Sequence, residues 1–87
     1  MITALLIDDD KHLRKGMKSL LERYAADIRI VGEADSVKTG IGALEKYKPQ
    51  VIFLDIHLAD GTGFDILEEY TNRHGKLTSH IVFITAH

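Results

Sequence analysis

Eighty-seven residues suffice for one small domain with a single core. Apolar side chains make up 45% of the chain, which excludes a disordered polymer, and 11 basic against 13 acidic residues (net −2) exclude the basic block that a nucleic-acid backbone demands. The chain has no cysteine, which removes a disulfide framework and a thiolate metal site and fits a cytoplasmic setting.

The first element is the apolar run Ala4-Leu5-Leu6-Ile7, a buried-strand pattern that ends on acid, Asp8-Asp9-Asp10. Ile2 to Ile7 is far too short to cross a bilayer, and the aspartates stand where a signal peptide would stay apolar, so a soluble chain with no membrane partner is expected. Leu13, Met17, Leu20, Leu21 and Tyr24 then recur at helical spacing and read as a core stripe, with Lys11, Arg14, Lys15, Lys18 and Glu22 on the other face. Asp9 or Asp10 can cap that helix. Ile28 to Ala34 forms a short second strand. Asp35 or Ser36 opens a second helix to about Tyr47, weakened by Gly40 and Gly42, and Pro49 stops it.

The central strand is Val51-Ile52-Phe53-Leu54-Asp55, four apolar residues that stop abruptly on a carboxylate. Asp60-Gly61-Thr62-Gly63 then turns the chain. Thr62 and Asp65 have the spacing of a capping box, Phe64, Leu67 and Tyr70 form the stripe of a third helix, and Gly75 suits its C-cap. His80 to Ile84 reads as a fourth buried strand, followed by Thr85-Ala86-His87.

Strands alternating with helices predict a doubly wound α/β domain: a parallel sheet with right-handed crossovers and strand order 2-1-3-4. Strands one and three are then neighbours at the switch point, the usual ligand crevice of such sheets. Asp8, Asp9, Asp55 and Thr85 converge there. Three carboxylates in one crevice repel each other until a cation or proton intervenes, and with only oxygen donors on offer the cation is hard, with Mg²⁺ favoured. The matching chemistry is in-line attack of a carboxylate on a phosphoryl group. Asp55 is the expected nucleophile, Asp8 and Asp9 the expected metal ligands, and Thr85 a hydrogen-bond donor to a phosphoryl oxygen.

These stretches together resemble the receiver domain of two-component response regulators over the whole chain, residues 1–87. Leu5-Leu6-Ile7-Asp8-Asp9-Asp10 is similar to the acidic first strand, Ile52-Phe53-Leu54-Asp55-Ile56 to the phosphoacceptor strand and Phe83-Ile84-Thr85-Ala86-His87 to the switch strand. The wording Asp55-Ile56-x-Leu58-x-Asp60-Gly61-x-Gly63-Phe64 is especially similar to receivers that precede LytTR-type DNA-binding domains. The resemblance implies a flavodoxin-like fold, phosphorylation of Asp55 by a sensor histidine kinase, and Mg²⁺ held by Asp8, Asp9, Asp55 and the backbone carbonyl of His57. It implies Thr85 as the switch residue.

Two departures stand out. Ala59 occupies a position where receivers usually carry proline. The family's strand-five lysine, with that fifth strand and the last two helices, falls beyond His87, so the chain is expected to be a C-terminally incomplete receiver. An open fourth-strand edge then predicts a homodimer or an element-swapped oligomer. DNA binding is expected only through an effector domain outside this chain. Two competing readings accompany this one. The absent lysine suits a pseudo-receiver that works by protein contacts alone. Asp55-x-His57 resembles part of a cobalamin-binding loop on a similar fold, but that loop wants glycine where Asp60 stands, and a corrin site has no use for the acidic pair after strand one.

Overall fold

The computed structural model describes residues 1–84. Nine elements follow in order: β1 (Ile2–Ile7), α1 (Lys11–Tyr24), β2 (Ile28–Ala34), α2 (Val37–Tyr47), β3 (Val51–Asp55), β4 (His57–Leu58), β5 (Gly61–Thr62), α3 (Gly63–His74) and β6 (His80–Ile84). The main sheet is parallel with order β2-β1-β3-β6, which is the expected 2-1-3-4 arrangement with β6 as its fourth strand. β4 and β5 form a separate antiparallel ribbon.

Strand alternation sends side chains to two faces. Leu5, Ile7, Ile52 and Leu54 pack with Ile41, Ala43, Leu44 and Ile66 of α2 and α3. Ala4, Leu6 and Phe53 face the other way, toward Met17 and Leu21 of α1. Helices therefore cover both faces, as a doubly wound sheet requires.

The two faces are unequal. α1 contains no buried residue, and Leu20 and Tyr24, expected in its core stripe, are 55% and 74% exposed. The apolar stripe is wider than the sheet surface beneath it, so only Leu13, Met17 and Leu21 reach partial burial. The fourth strand departs from its buried pattern but agrees with the open edge expected of it. Val82 and Phe83 are exposed, because β6 lies at the sheet edge and pairs with β3 on one side only. In α3 the anchor is Ile66, fully buried, while Phe64 of the expected stripe is exposed and lies against Phe83 with ring centroids 5.2 Å apart.

Local signals placed the boundaries well. Asp10 caps α1, Ser36 caps α2 in a capping box with Thr39, and Thr62 caps α3 in a capping box with Asp65. Gly75 ends α3 at φ 82°. α2 ends differently, on Lys48 at φ 46°, before Pro49 redirects the chain. Among the described residues no helix is long and apolar enough to cross a membrane.

Candidate functional site

β1 and β3 run side by side with Ile7 opposite Leu54, so the residues that follow, Asp8 and Asp55, leave the sheet at the same level. Both are almost completely buried, at 3% and 2% exposure. Asp9 is exposed beside them. One carboxylate oxygen from each of Asp8, Asp9 and Asp55 lies within 4.8 Å of the others. Three of the predicted site residues are thus brought together at the carboxyl edge of the sheet.

The three consecutive aspartates divide their work. Asp8 adds one bond beyond the end of β1, its N–H donating to the Ala34 carbonyl at 3.0 Å, while its Oδ1 accepts the Asp10 N–H at 2.8 Å. Asp10 turns away and its Oδ1 accepts from the His12 and Leu13 amides, which starts α1. Asp55 mirrors Asp8: its Oδ1 accepts the N–H of His57, two residues on, at 3.3 Å. Burial pushes the Asp8 carboxyl above its ordinary range, and the negative charges of Asp55 and Asp9 add to the effect against the pull of the Asp10 amide.

Around this centre the backbone is held by residues to which the sequence reading assigned no part in the site. Arg14 Nη1 donates to the Asp8 carbonyl at 2.6 Å, and its Nε donates to Glu33 at 3.2 Å. Lys18 also reaches Glu33, at 3.1 Å. Burial raises the Glu33 carboxyl, but Lys18 and Arg14 together hold it below the usual range. Gly63 lies against β3, where an added Cβ would meet the Asp55 carbonyl oxygen at 2.5 Å. Asp60 accepts amides from α2. The Asp-Gly-Thr-Gly wording pointed to the Gly63 neighbourhood, whereas nothing local announced Arg14 or the partners of Asp60.

Thr85 lies outside the described residues. Its predecessor Ile84 is the register partner of Asp55. His57 opens the β4–β5 ribbon opposite Thr62. The donor set fits a hard divalent cation. It is all oxygen, converges from two adjacent strands, and carries an excess of negative charge in a largely buried setting.

A parallel doubly wound sheet of this order with acid at its switch point defines a class, the flavodoxin-like domains. Residues 4–87 match the family model described as the response regulator receiver domain, and the chain belongs to that family. The Bacillus anthracis sensory transduction protein LytT is 40% identical over 87 residues, covering 100% of this chain and 34% of LytT. The Escherichia coli transcriptional regulatory protein BtsR is 36% identical over 86 residues, covering 99% of this chain and 34% of BtsR. The chain therefore spans about a third of the length of these curated relatives. Among solved structures, the MaeR response regulator bound to beryllium trifluoride superposes with a TM-score of 0.85 at 26% identity, covering 100% of this chain and 69% of that one. The chain is a receiver domain of the response regulators of two-component signalling.

Proposed function

We propose that this receiver is a phosphoacceptor switch in which Asp55 takes a phosphoryl group from a histidine of a sensor kinase. The observation that carries the reading is the convergence of Asp8, Asp9 and Asp55 oxygens within 4.8 Å at the β1–β3 edge. A carboxylate oxygen of Asp55 attacks phosphorus in line with the leaving imidazole nitrogen. The P–N bond breaks and its electron pair stays on that nitrogen, leaving an acyl phosphate. Asp8, Asp9, Asp55 and the His57 carbonyl are the residues that would hold Mg²⁺, which when bound offsets the charge building on the phosphoryl oxygens.

The chain's own residues contribute orientation. His57 N–H steadies Asp55 Oδ1, and Arg14 fixes the backbone at Asp8. Burial of Asp55 limits access by water to the carboxylate. Thr85 is proposed to donate to the phosphoryl group and turn toward it, the register of Ile84 with Asp55 being what supports that role. The solved structure of MaeR, of the same fold, is of the protein bound to beryllium trifluoride, which supports a fold able to accept a small inorganic group of this kind. A part in transcriptional regulation belongs to the same proposal, suggested by the name of the transcriptional regulatory protein BtsR.

The test is intact-mass spectrometry after incubation with a small phosphoryl donor, with and without Mg²⁺, on the wild type and Asp55→Asn. The expected result is one Mg²⁺-dependent phosphoryl adduct on the wild type and none on the variant. An adduct that survives Asp55→Asn, or none on a chain that circular dichroism shows to be folded, overturns the assignment.

A further inference from the structure

We propose that Asp60 is a positioning residue of the acceptor site, tying the ribbon that follows Asp55 to the N-terminus of α2. The inference rests on the phosphoacceptor reading. It begins with a helix end satisfied from outside. The first amides of a helix have no partner within it. In α2, Ser36 Oγ accepts the Thr39 N–H at 3.0 Å. The preceding two amides are taken by Asp60, a residue from another element: Oδ1 accepts Val37 N–H at 2.7 Å and Oδ2 accepts Lys38 N–H at 3.2 Å. Each carboxylate oxygen has one donor, at the end of the helix where negative charge is favoured.

Asp60 sits at the tip of the β4–β5 ribbon, where Leu58 pairs with Gly61 and His57 with Thr62. A ribbon of two residues per strand has little stability of its own. Its base is fixed at the acceptor: His57 N–H donates to Asp55 Oδ1 at 3.3 Å, and Gly63 N–H to the Ile56 carbonyl at 2.8 Å. Its tip is fixed by the Asp60 contacts. The ribbon also lies flush against α2, since a Cβ on Gly61 would come within 3.0 Å of Val37 Cγ2. Two anchored ends hold His57 in one place, and with it both the amide that steadies Asp55 and the carbonyl assigned to the metal. The Val37 amide, opposed by burial and joined by the Lys38 amide, keeps the Asp60 carboxyl below its ordinary range, so it is ionised wherever the domain works.

Removing the tip anchor frees the ribbon to hinge about Asp55. Groups that orient metal ligands from behind typically change metal affinity or activity by 10–100-fold when lost. Asp60→Ala is expected to raise the Mg²⁺ concentration for half-maximal labelling by about tenfold and to shift the His57 amide resonance in a ¹⁵N-correlated spectrum. Asp60→Asn keeps one acceptor oxygen and is expected to recover most of the loss.

The experiment compares both variants with the wild type by Mg²⁺-dependent labelling, by the His57, Val37 and Lys38 amide signals, and by thermal unfolding. A residue that merely capped α2 would move the Val37 and Lys38 signals and the melting temperature, yet leave the His57 signal and the Mg²⁺ midpoint in place. That outcome overturns the proposal. So does an Asp60→Asn variant no better than Asp60→Ala in a fully folded state. If Asp60→Ala does not fold, the same readouts on Asp60→Asn decide, with a smaller upward shift in the midpoint and a moved His57 signal expected. If the wild type takes no phosphoryl group, the acceptor reading falls by itself, and the His57 amide and an Mg²⁺ titration followed by it still judge the role of Asp60.

Discussion

The amide of Gly63 donates to the Ile56 carbonyl, and a methyl group on its Cα would lie 2.5 Å from the Asp55 carbonyl oxygen and 2.9 Å from Leu54 Cγ. The nearer of those atoms is backbone in the central strand, so no side-chain rotation relieves the clash. Alanine at the first position of α3 gains up to about 1 kcal/mol of helix propensity over glycine. Overpacking against a fixed core costs about 1–3 kcal/mol, and here the obstacle is backbone, so the cost prevails. Gly63→Ala is expected to lower the urea midpoint with an unchanged slope. It should also slow labelling of Asp55 more than the stability loss explains, because the residue pushed aside is the acceptor itself. Equal midpoints for variant and wild type would show that the strand yields freely and that Gly63 has no positioning part.

Packing between elements turns on a second glycine. The periodicity of α2 marks Gly40 only as a weak point of the helix. In the fold it is buried at the place where α2 meets α3 and β1, and a Cβ there would approach Ile66 Cδ1 to 2.8 Å and Ile7 Cδ1 to 3.3 Å. Ile66 Cδ1 ends a flexible side chain, but that side chain is fully buried and has little space to move into. Gly40→Ala is therefore expected to destabilise by about 1 kcal/mol, overpacking outweighing propensity. Ile66→Val removes the obstructing methyl and alone costs about 0.5–1.5 kcal/mol. Together they should be less harmful than their sum by about 1 kcal/mol in a double-mutant cycle of urea denaturation. Additive effects would mean that the helices separate rather than interlock.

The same elements show why some of the structure was legible and some was not. Strand order, the pairing of Asp8 with Asp55 and all three N-caps follow from local pattern, since strand runs, crossover handedness and capping residues act over a few positions. Periodicity identifies an apolar face but not how much surface lies beneath it, so Leu20, Tyr24, Val82 and Phe83 read as core and are exposed. The β4–β5 ribbon is too short to carry a period. The partners of Asp60 lie 22 and 23 residues away, a relation that only the folded chain creates.

At the scale of the molecule, among the described residues three depressed carboxylates each join separate elements. Glu33, raised by burial but lowered further by Lys18 and Arg14, ties β2 to α1. Asp60, lowered chiefly by the Val37 amide, ties the ribbon to α2. Glu45, lowered chiefly by His74 at 2.7 Å and also by Arg73, ties α2 to α3. A carboxyl depressed on folding stabilises the folded state above its unfolded value and loses that contribution as pH falls through its folded value. The ordinary values are 4.5 for the two glutamates and 3.8 for Asp60, so the loss begins near pH 4.5 and deepens below it. All three helices lose a docking contact over the same interval. Asp8 has the opposite sign: raised on folding, it favours the folded state at low pH and withdraws that support as pH rises through its folded value. The net acid limb is then a difference between two trends, and the variants must be read against the wild type at each pH. Glu33→Gln, Glu45→Gln and Asp60→Asn combined should flatten the descent in urea-derived stability below pH 4.5, while Asp8→Asn should steepen it. Because the three ties are exposed, salt should blunt the first effect, and the buried Asp8 should respond far less to ionic strength. An acid limb unchanged in the triple variant would mean that these ion pairs and caps exist in the unfolded chain as well, or that they hold nothing in the folded one.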